Sequence, residues 1–223
     1  SNIQGNKIAN IRVNTNFTTT AIPSAFTGIY LTGGLINVGT TSLNLIGDTT
    51  TTGNIIISAN TTNNPNFTTA NGIGVNGATT TANIENNRIS GMSLMTSAGI
   101  LRGIWINNTS SNNTVINNNL IGSNTTAFSM QVTAGTTNTN VTEVTGILQN
   151  SANGTFTISN NTLANLMTPN SVSTSTLSFI RGIVATDGTN NITGNTLKSF
   201  TSAIANTSTT AANDAVQGTQ LSA

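Results

Sequence analysis

Cysteine and histidine are absent from this chain, and charge is nearly so: six Lys plus Arg stand against five Asp plus Glu in 223 residues. Without thiols or imidazoles there is no disulfide framework, thiolate nucleophile, imidazole base or zinc site of the usual kind. A formal charge of +1 with no basic cluster leaves no electrostatic footprint for nucleic acid or an anionic membrane. Long apolar runs are missing too. The richest patch centres on Ile55, Ile56 and Ile57, far short of the ~20 apolar residues of a membrane span, so no membrane insertion is expected. Charged residues make up 5% of the chain, against about 25% in an ordinary soluble domain. In their place Thr and Asn supply roughly a third of the sequence, far above average usage. They hold mean hydropathy near zero, at +0.01, while 35% of residues stay hydrophobic. With Ile, Val, Leu and Thr so abundant, the composition reads as β-rich rather than disordered. The length fits one domain.

A short phrase recurs along the chain. It reads Ile3-Gln4-Gly5-Asn6-Lys7-Ile8, then Ile84-Glu85-Asn86-Asn87-Arg88-Ile89, then Ile116-Asn117-Asn118-Asn119-Leu120-Ile121. It returns as Ile158-Ser159-Asn160-Asn161-Thr162-Leu163 and Ile192-Thr193-Gly194-Asn195-Thr196-Leu197, with a weaker copy at Thr41-Ser42-Leu43-Asn44-Leu45-Ile46. The position two after the Asn is Ile8, Ile46, Ile89, Ile121, Leu163 and Leu197, always aliphatic. A second column consists of Gly28-Ile29, Gly72-Ile73, Gly103-Ile104, Gly146-Ile147 and Gly182-Ile183, with Ala203-Ile204 as its expected sixth member. From each Gly to the next phrase Asn the spacing holds at 16, 15, 16, 15 and 13 residues, while the return arc varies from 16 to 28 and is 8 at its last step, to Ala203. A constant scaffold with insertions on one side is the signature of stacked repeats.

Each unit contains alternating pieces such as Gly103-Ile104-Trp105-Ile106, bounded by Asn, Gly, Ser and Thr; these read as strands of three to five residues. One unit cannot bury its aliphatic side chains, but copies stacked at the ~4.8 Å strand spacing can. Columns then become ladders. Ile8, Ile46, Ile89, Ile121, Leu163 and Leu197 form one inside, and Ile29, Ile73, Ile104, Ile147, Ile183 and Ile204 form another. Asn6, Asn44, Asn87, Asn119, Asn161 and Asn195 line one bend, where Asn tolerates the left-handed backbone and amides bond to each other along the axis.

The phrase Ile-x-Asn-Asn-x-Ile-x-x-Met (Ile84 to Met92) and its copies resemble the coils of the right-handed parallel β-helix proteins of the pectin-lyase-like group, among them repeat proteins of bacterial surfaces. The resemblance spans essentially the whole chain. It implies an all-β solenoid of about six coils with variable insertions on one side. Its functional range is wide, covering lyases, hydrolases, phage tailspikes and non-catalytic surface proteins. The insertions are expected at Ile11–Thr27, Thr49–Asn71 and Asn124–Thr145. At the far end, Val216-Gln217-Gly218-Thr219-Gln220-Leu221 matches Ile3 to Ile8 with Thr219 in the Asn place. The chain is therefore expected to open and close at one point of the cross-section after six turns, in a stack about 29 Å tall. Neither end carries a capping helix or charged segment, which points to adjoining repeats of a longer chain or to end-to-end stacking of copies.

Polysaccharide-cleaving enzymes of this fold need clustered carboxylates, often with calcium. The acids here are Asp48, Glu85, Glu143, Asp187 and Asp214. No two are neighbours in sequence or in adjacent-coil alignment, so no catalytic, cofactor or metal residue is expected. Arg102 and Arg181 both precede a Gly-Ile pair, two coils apart on one face, where Arg forks suit a carboxylated or sulfated glycan. The plainer reading makes them solvated charges at insertion ends. Trp105 and Tyr30 each follow a Gly-Ile pair. Thr-x-Thr pairs such as Thr137/Thr139 and Thr155/Thr157 share no column, which argues against an ice-binding face. The expected protein is a non-catalytic structural segment of an extracellular bacterial surface fibre or adhesin. Its partners would be itself or adjoining repeats, with surface glycans as a further class; the alternative is a glycan-binding or glycan-degrading β-helix. Export is inferred from fold and composition alone.

Overall fold

The computed structural model describes residues 1–15, 24–59, 68–96, 98–109, 113–133, 141–168, 178–202 and 216–221. Its strands follow the chain in coils. The first coil holds β1 (Asn2–Ile3), β2 (Lys7–Ile8) and β3 (Ile11–Asn14), and the second β4 (Phe26–Val38), β5 (Leu45–Gly47) and β6 (Ile55–Ser58). Next come β7 (Thr68–Glu85), β8 (Arg88–Ser90) and β9 (Met92–Met95). The fourth coil comprises β10 (Gly99–Asn108), β11 (Asn113–Asn117), β12 (Leu120–Gly122) and β13 (Met130–Thr133). The fifth has β14 (Thr142–Gln149), β15 (Thr155–Ser159), β16 (Thr162–Ala164) and β17 (Leu166–Thr168). The sixth has β18 (Ser178–Ala185), β19 (Thr189–Thr193), β20 (Thr196–Lys198) and β21 (Thr201–Ser202), and β22 (Val216–Leu221) closes the series.

All pairings are parallel between successive coils, and they build three sheets. The second sheet runs β2-β5-β8-β12-β16-β20 and the third β3-β6-β9-β13-β17-β21. The first sheet is bent into two faces. The long strands β4 and β7 cross both, whereas later coils divide them between β10 and β11, β14 and β15, and β18 and β19. This is the all-β parallel solenoid that the repeat predicts.

The register shows why one arc is constant in length. The column Ile29, Ile73, Ile104, Ile147 and Ile183 is continuous, as is Ile8, Ile46, Ile89, Ile121, Leu163 and Leu197. The two columns touch across the core through the glycines. A Cβ on Gly103 would meet Ile121 Cγ2 at 2.5 Å and the Gly146 carbonyl at 2.6 Å, and one on Gly146 would meet Leu163 Cδ2 at 2.1 Å. Each Gly therefore faces the aliphatic rung of its own coil. The chain between them must span the same width at every level, which fixes its length.

Four expectations are corrected. Ile204 lies outside the described residues, and the place beside Ile183 belongs to Thr219. Gly218 thus continues the Gly column rather than repeating Gly5. The chain closes on the first face of the first sheet, just short of a sixth full turn. In the second coil the partner of Ile3 is Val38, not Thr41; residues 39–43 are a local insertion before Asn44. Finally, the expected insertions contain strands. β3, β6 and β13 fall within Ile11–Thr27, Thr49–Asn71 and Asn124–Thr145, and their inward column of Ile11, Ile55, Met92, Met130 and Leu166 completes the core. Extra chain sits at the corner before that sheet, at residues 48–54 and 123–129. The first, third, fifth and sixth coils turn there on single left-handed residues, Asn10, Gly91, Asn165 and Ser199.

Candidate functional site

The bend before the second sheet carries two columns of Asn with separate tasks. Asn86, Asn118 and Asn160 take positive φ of 55–56°, as Gly5 and Gly194 do at 65°, because Asn and Gly bear the left-handed backbone at least cost. The following residues, Asn6, Asn44, Asn87, Asn119, Asn161 and Asn195, form the ladder. Nδ2 of each donates to Oδ1 of the next along all five steps, at 2.9–3.0 Å. The same nitrogen donates backward to a carbonyl of the preceding coil, as from Asn119 to Ile84 at 2.8 Å and from Asn161 to Ile116 at 2.9 Å. Oδ1 of Asn119, Asn161 and Asn195 also accepts the backbone N–H of the ladder Asn before it, at 2.9 Å. Asn44, Asn87, Asn119 and Asn161 are buried, so these bonds work in a low-dielectric setting where an unmade one is costly. The sequence places both tasks on one Asn; the structure divides them between neighbours.

The acids are dispersed. Asp48 accepts the N–H and Oγ1–H of Thr50 at 2.8 and 2.7 Å. The Thr50 backbone bond first, then its hydroxyl, holds the Asp48 carboxyl below its ordinary value. Glu85 lies in β7 and Asp187 at the corner after β18, while Asp214 is outside the described residues. Among the described residues no three acids gather into a group able to hold a metal ion.

Glu143 sits in β14 rather than in an insertion, and it decides the fate of the two arginines. Arg102, Thr145 and Arg181 occupy one outward column, which continues to Gln217. Arg181 Nη1 donates to Glu143 Oε2 at 3.0 Å, and its Nε donates to Gln217 Oε1 at 3.1 Å. The guanidinium also lies 4.6 Å from the Phe179 ring centre. Arg102 is different. It rests 5.6 Å from the Trp105 ring centre, and no described residue accepts a hydrogen bond from it; its buried Nε is without a partner. Burial pulls this guanidinium below its ordinary value, and the Glu143 charge pushes it back only in part.

Around Arg102 lies a cavity of about 280 Å³, lined among others by Asn71, Ile100, Trp105, Asn107 and Asn150. Trp105 Nε1 donates to Asn150 Oδ1 at 3.1 Å, which fixes the indole as one wall. Asn71, 1% exposed, donates to Ser24 Oγ at 3.0 Å, yet its Oδ1 has no partner. Tyr30, Gly74 and Trp105 share an outward column. A Cβ on Gly74 would lie 3.3 Å from Thr27 Cγ2, 3.5 Å from the Tyr30 ring and 3.6 Å from the indole, which places the glycine between the two rings. The sequence identifies the two Arg and both aromatics. It misses Asn71, Asn150 and the neutralising role of Glu143, none of which has a local signature. No family model, curated protein or solved structure matches the chain.

Proposed function

We propose that the chain is a non-catalytic structural β-solenoid segment of an extracellular bacterial surface fibre or adhesin. The observation that carries this reading is the directional Asn ladder. Inside the stack every rung offers Oδ1 to the coil before it and N–H groups to the coil after it. The outermost described rungs keep that polarity: no described residue donates to Asn6 Oδ1, and the backbone N–H of Asn195 has no described partner. Another coil of the same kind, from adjoining repeats or a second copy, would continue the ladder from either of these described rungs. Among the described residues β2, β3, β19 and β20 pair on one side only, which favours the same head-to-tail arrangement. Low charge supports it too, since little repulsion holds like surfaces apart.

Sizing and negative-stain electron microscopy across a concentration series test the reading. Elongated species one coil in width, growing with concentration, are expected. A discrete particle of constant length at every concentration would overturn end-to-end stacking.

A further inference from the structure

The cavity beside Arg102 has the chemistry of a ligand site that the ladder does not explain. We infer that it binds an anionic sugar: a single hydroxylated ring whose one carboxylate pairs with Arg102. Each part of that ligand answers a feature of the site. The carboxylate answers a guanidinium that lies against an aromatic wall and lacks any partner among the described residues. A planar fork of donors matches a carboxylate in two parallel bonds. Hydroxyl groups answer the neutral amides that line the cavity, Asn107 and Asn150, beside the unpartnered Oδ1 of Asn71. The apolar face of the ring answers Trp105 and Ile100.

Size and charge narrow the class. At about 280 Å³ the cavity falls just below the usual range of ligand sites, roughly 300–1,000 Å³, and suits one ring. Among the described residues Arg102 is the one cation of this face without an ion-pair partner, because Arg181 is paired with Glu143. Glu143, one coil from Arg102 in the neighbouring column, is already paired with Arg181, so that pair offers a ligand no second cation. A glycan ending in one carboxylated residue therefore finds its charge partner, whereas further carboxylates along a polymer find none among the described residues. This gives the adhesive part of the proposed function a ligand class. Its failure leaves the stacking reading intact, because the ladder and the cavity share no residue.

Trp105 is the chain's one tryptophan, so its fluorescence reports on the site directly. The full chain is titrated with methyl glucuronide, methyl glucoside, sodium acetate and polygalacturonate. Saturable change with the glucuronide is expected at about 1 mM, with affinity about tenfold or more weaker for the glucoside and for acetate. Polygalacturonate is expected to bind no better per residue than the glucuronide. Arg102→Gln should abolish the response and Arg102→Lys should weaken it, while Arg181→Gln retains it. Circular dichroism confirms that each variant is folded. Equal binding of glucoside and glucuronide overturns the inference, as does equal competition by acetate, which means an anion effect only. An unchanged Arg102→Gln, tighter binding of the polymer, or no saturable response to the glucuronide also overturns it.

Discussion

Replacing Asn119 by Ala separates a ladder that holds the fold from one that merely decorates it. The Asn119 side chain donates to Asn161 Oδ1 at 2.9 Å, Ile84 O at 2.8 Å and Asn117 O at 3.1 Å. It accepts from Asn87 Nδ2 at 3.0 Å and from the Asn87 backbone N–H at 2.9 Å. Not all of these losses are equal. Asn161 Oδ1 keeps the Asn119 backbone N–H, and Asn87 Nδ2 keeps the carbonyls of Val38 and Glu85. The Asn87 N–H, however, loses its acceptor inside the protein, and one such orphan costs about 1–3 kcal/mol. With the weakened carbonyl contacts and the small void, Asn119→Ala should cost about 2–4 kcal/mol, or about 4–16 °C in Tm for a chain of this size. Asn6→Ala is the control in the same column. Asn6 is exposed, and removing its side chain leaves Asn44 Oδ1 still bonded to the Asn6 N–H at 3.0 Å, so its cost should stay below about 1 kcal/mol. Urea unfolding by circular dichroism gives the two stabilities, and hydrogen exchange reads the Asn87 amide. The reasoning fails if the two variants lie within about 0.5 kcal/mol of each other, or if the Asn87 amide stays fully protected in Asn119→Ala.

Gly103→Ala should destabilise by about 1–3 kcal/mol through overpacking. Adding Ile121→Ala should not restore stability, since the Gly146 carbonyl, 2.6 Å from the new Cβ, remains; recovery to the wild-type unfolding midpoint would contradict the close-approach account. The Asp48 carboxyl, lowered by the Thr50 bonds, should titrate by NMR below a free Asp and move up in Thr50→Ala. The sign follows from the depressed folded value: the contribution of this turn is present above the unfolded pKa and is lost as pH falls through the folded one. A Thr50→Ala variant with the wild-type Asp48 midpoint would remove the hydroxyl from the account.

The sequence shows those columns whose residues have one task in every coil. Gly72, Gly103, Gly146 and Gly182 all face an aliphatic rung, so side-chain size forbids substitution and the spacing stays fixed. The third sheet is hidden because residues 48–54 and 123–129 lengthen the preceding corner in only two coils, which breaks the spacing of Ile55, Met92, Met130 and Leu166. The end is misread for a different reason. Gln4-Gly5 and Gln217-Gly218 are the same dipeptide, but Gly5 serves a left-handed turn at φ 65° and Gly218 extends the Gly column, with its carbonyl against Gly182. Local sequence cannot tell the two uses of glycine apart. At the candidate site the Arg102–Arg181 column is legible for the same reason the rungs are. Their opposite fates are not, because they depend on Glu143 reaching β14, and that follows from how much chain the third sheet consumes.

The unequal coils also store length. Each advances the stack by one strand spacing, about 4.8 Å, yet between 32 and 43 residues separate successive rungs from Ile8 to Leu197. A coil peeled from the edge under tension releases roughly 110 to 145 Å of extended chain. The variable corners therefore set the size of each yielding step without touching the rungs that resist it. A solenoid built this way gives way one coil at a time while the remaining stack keeps its bonds.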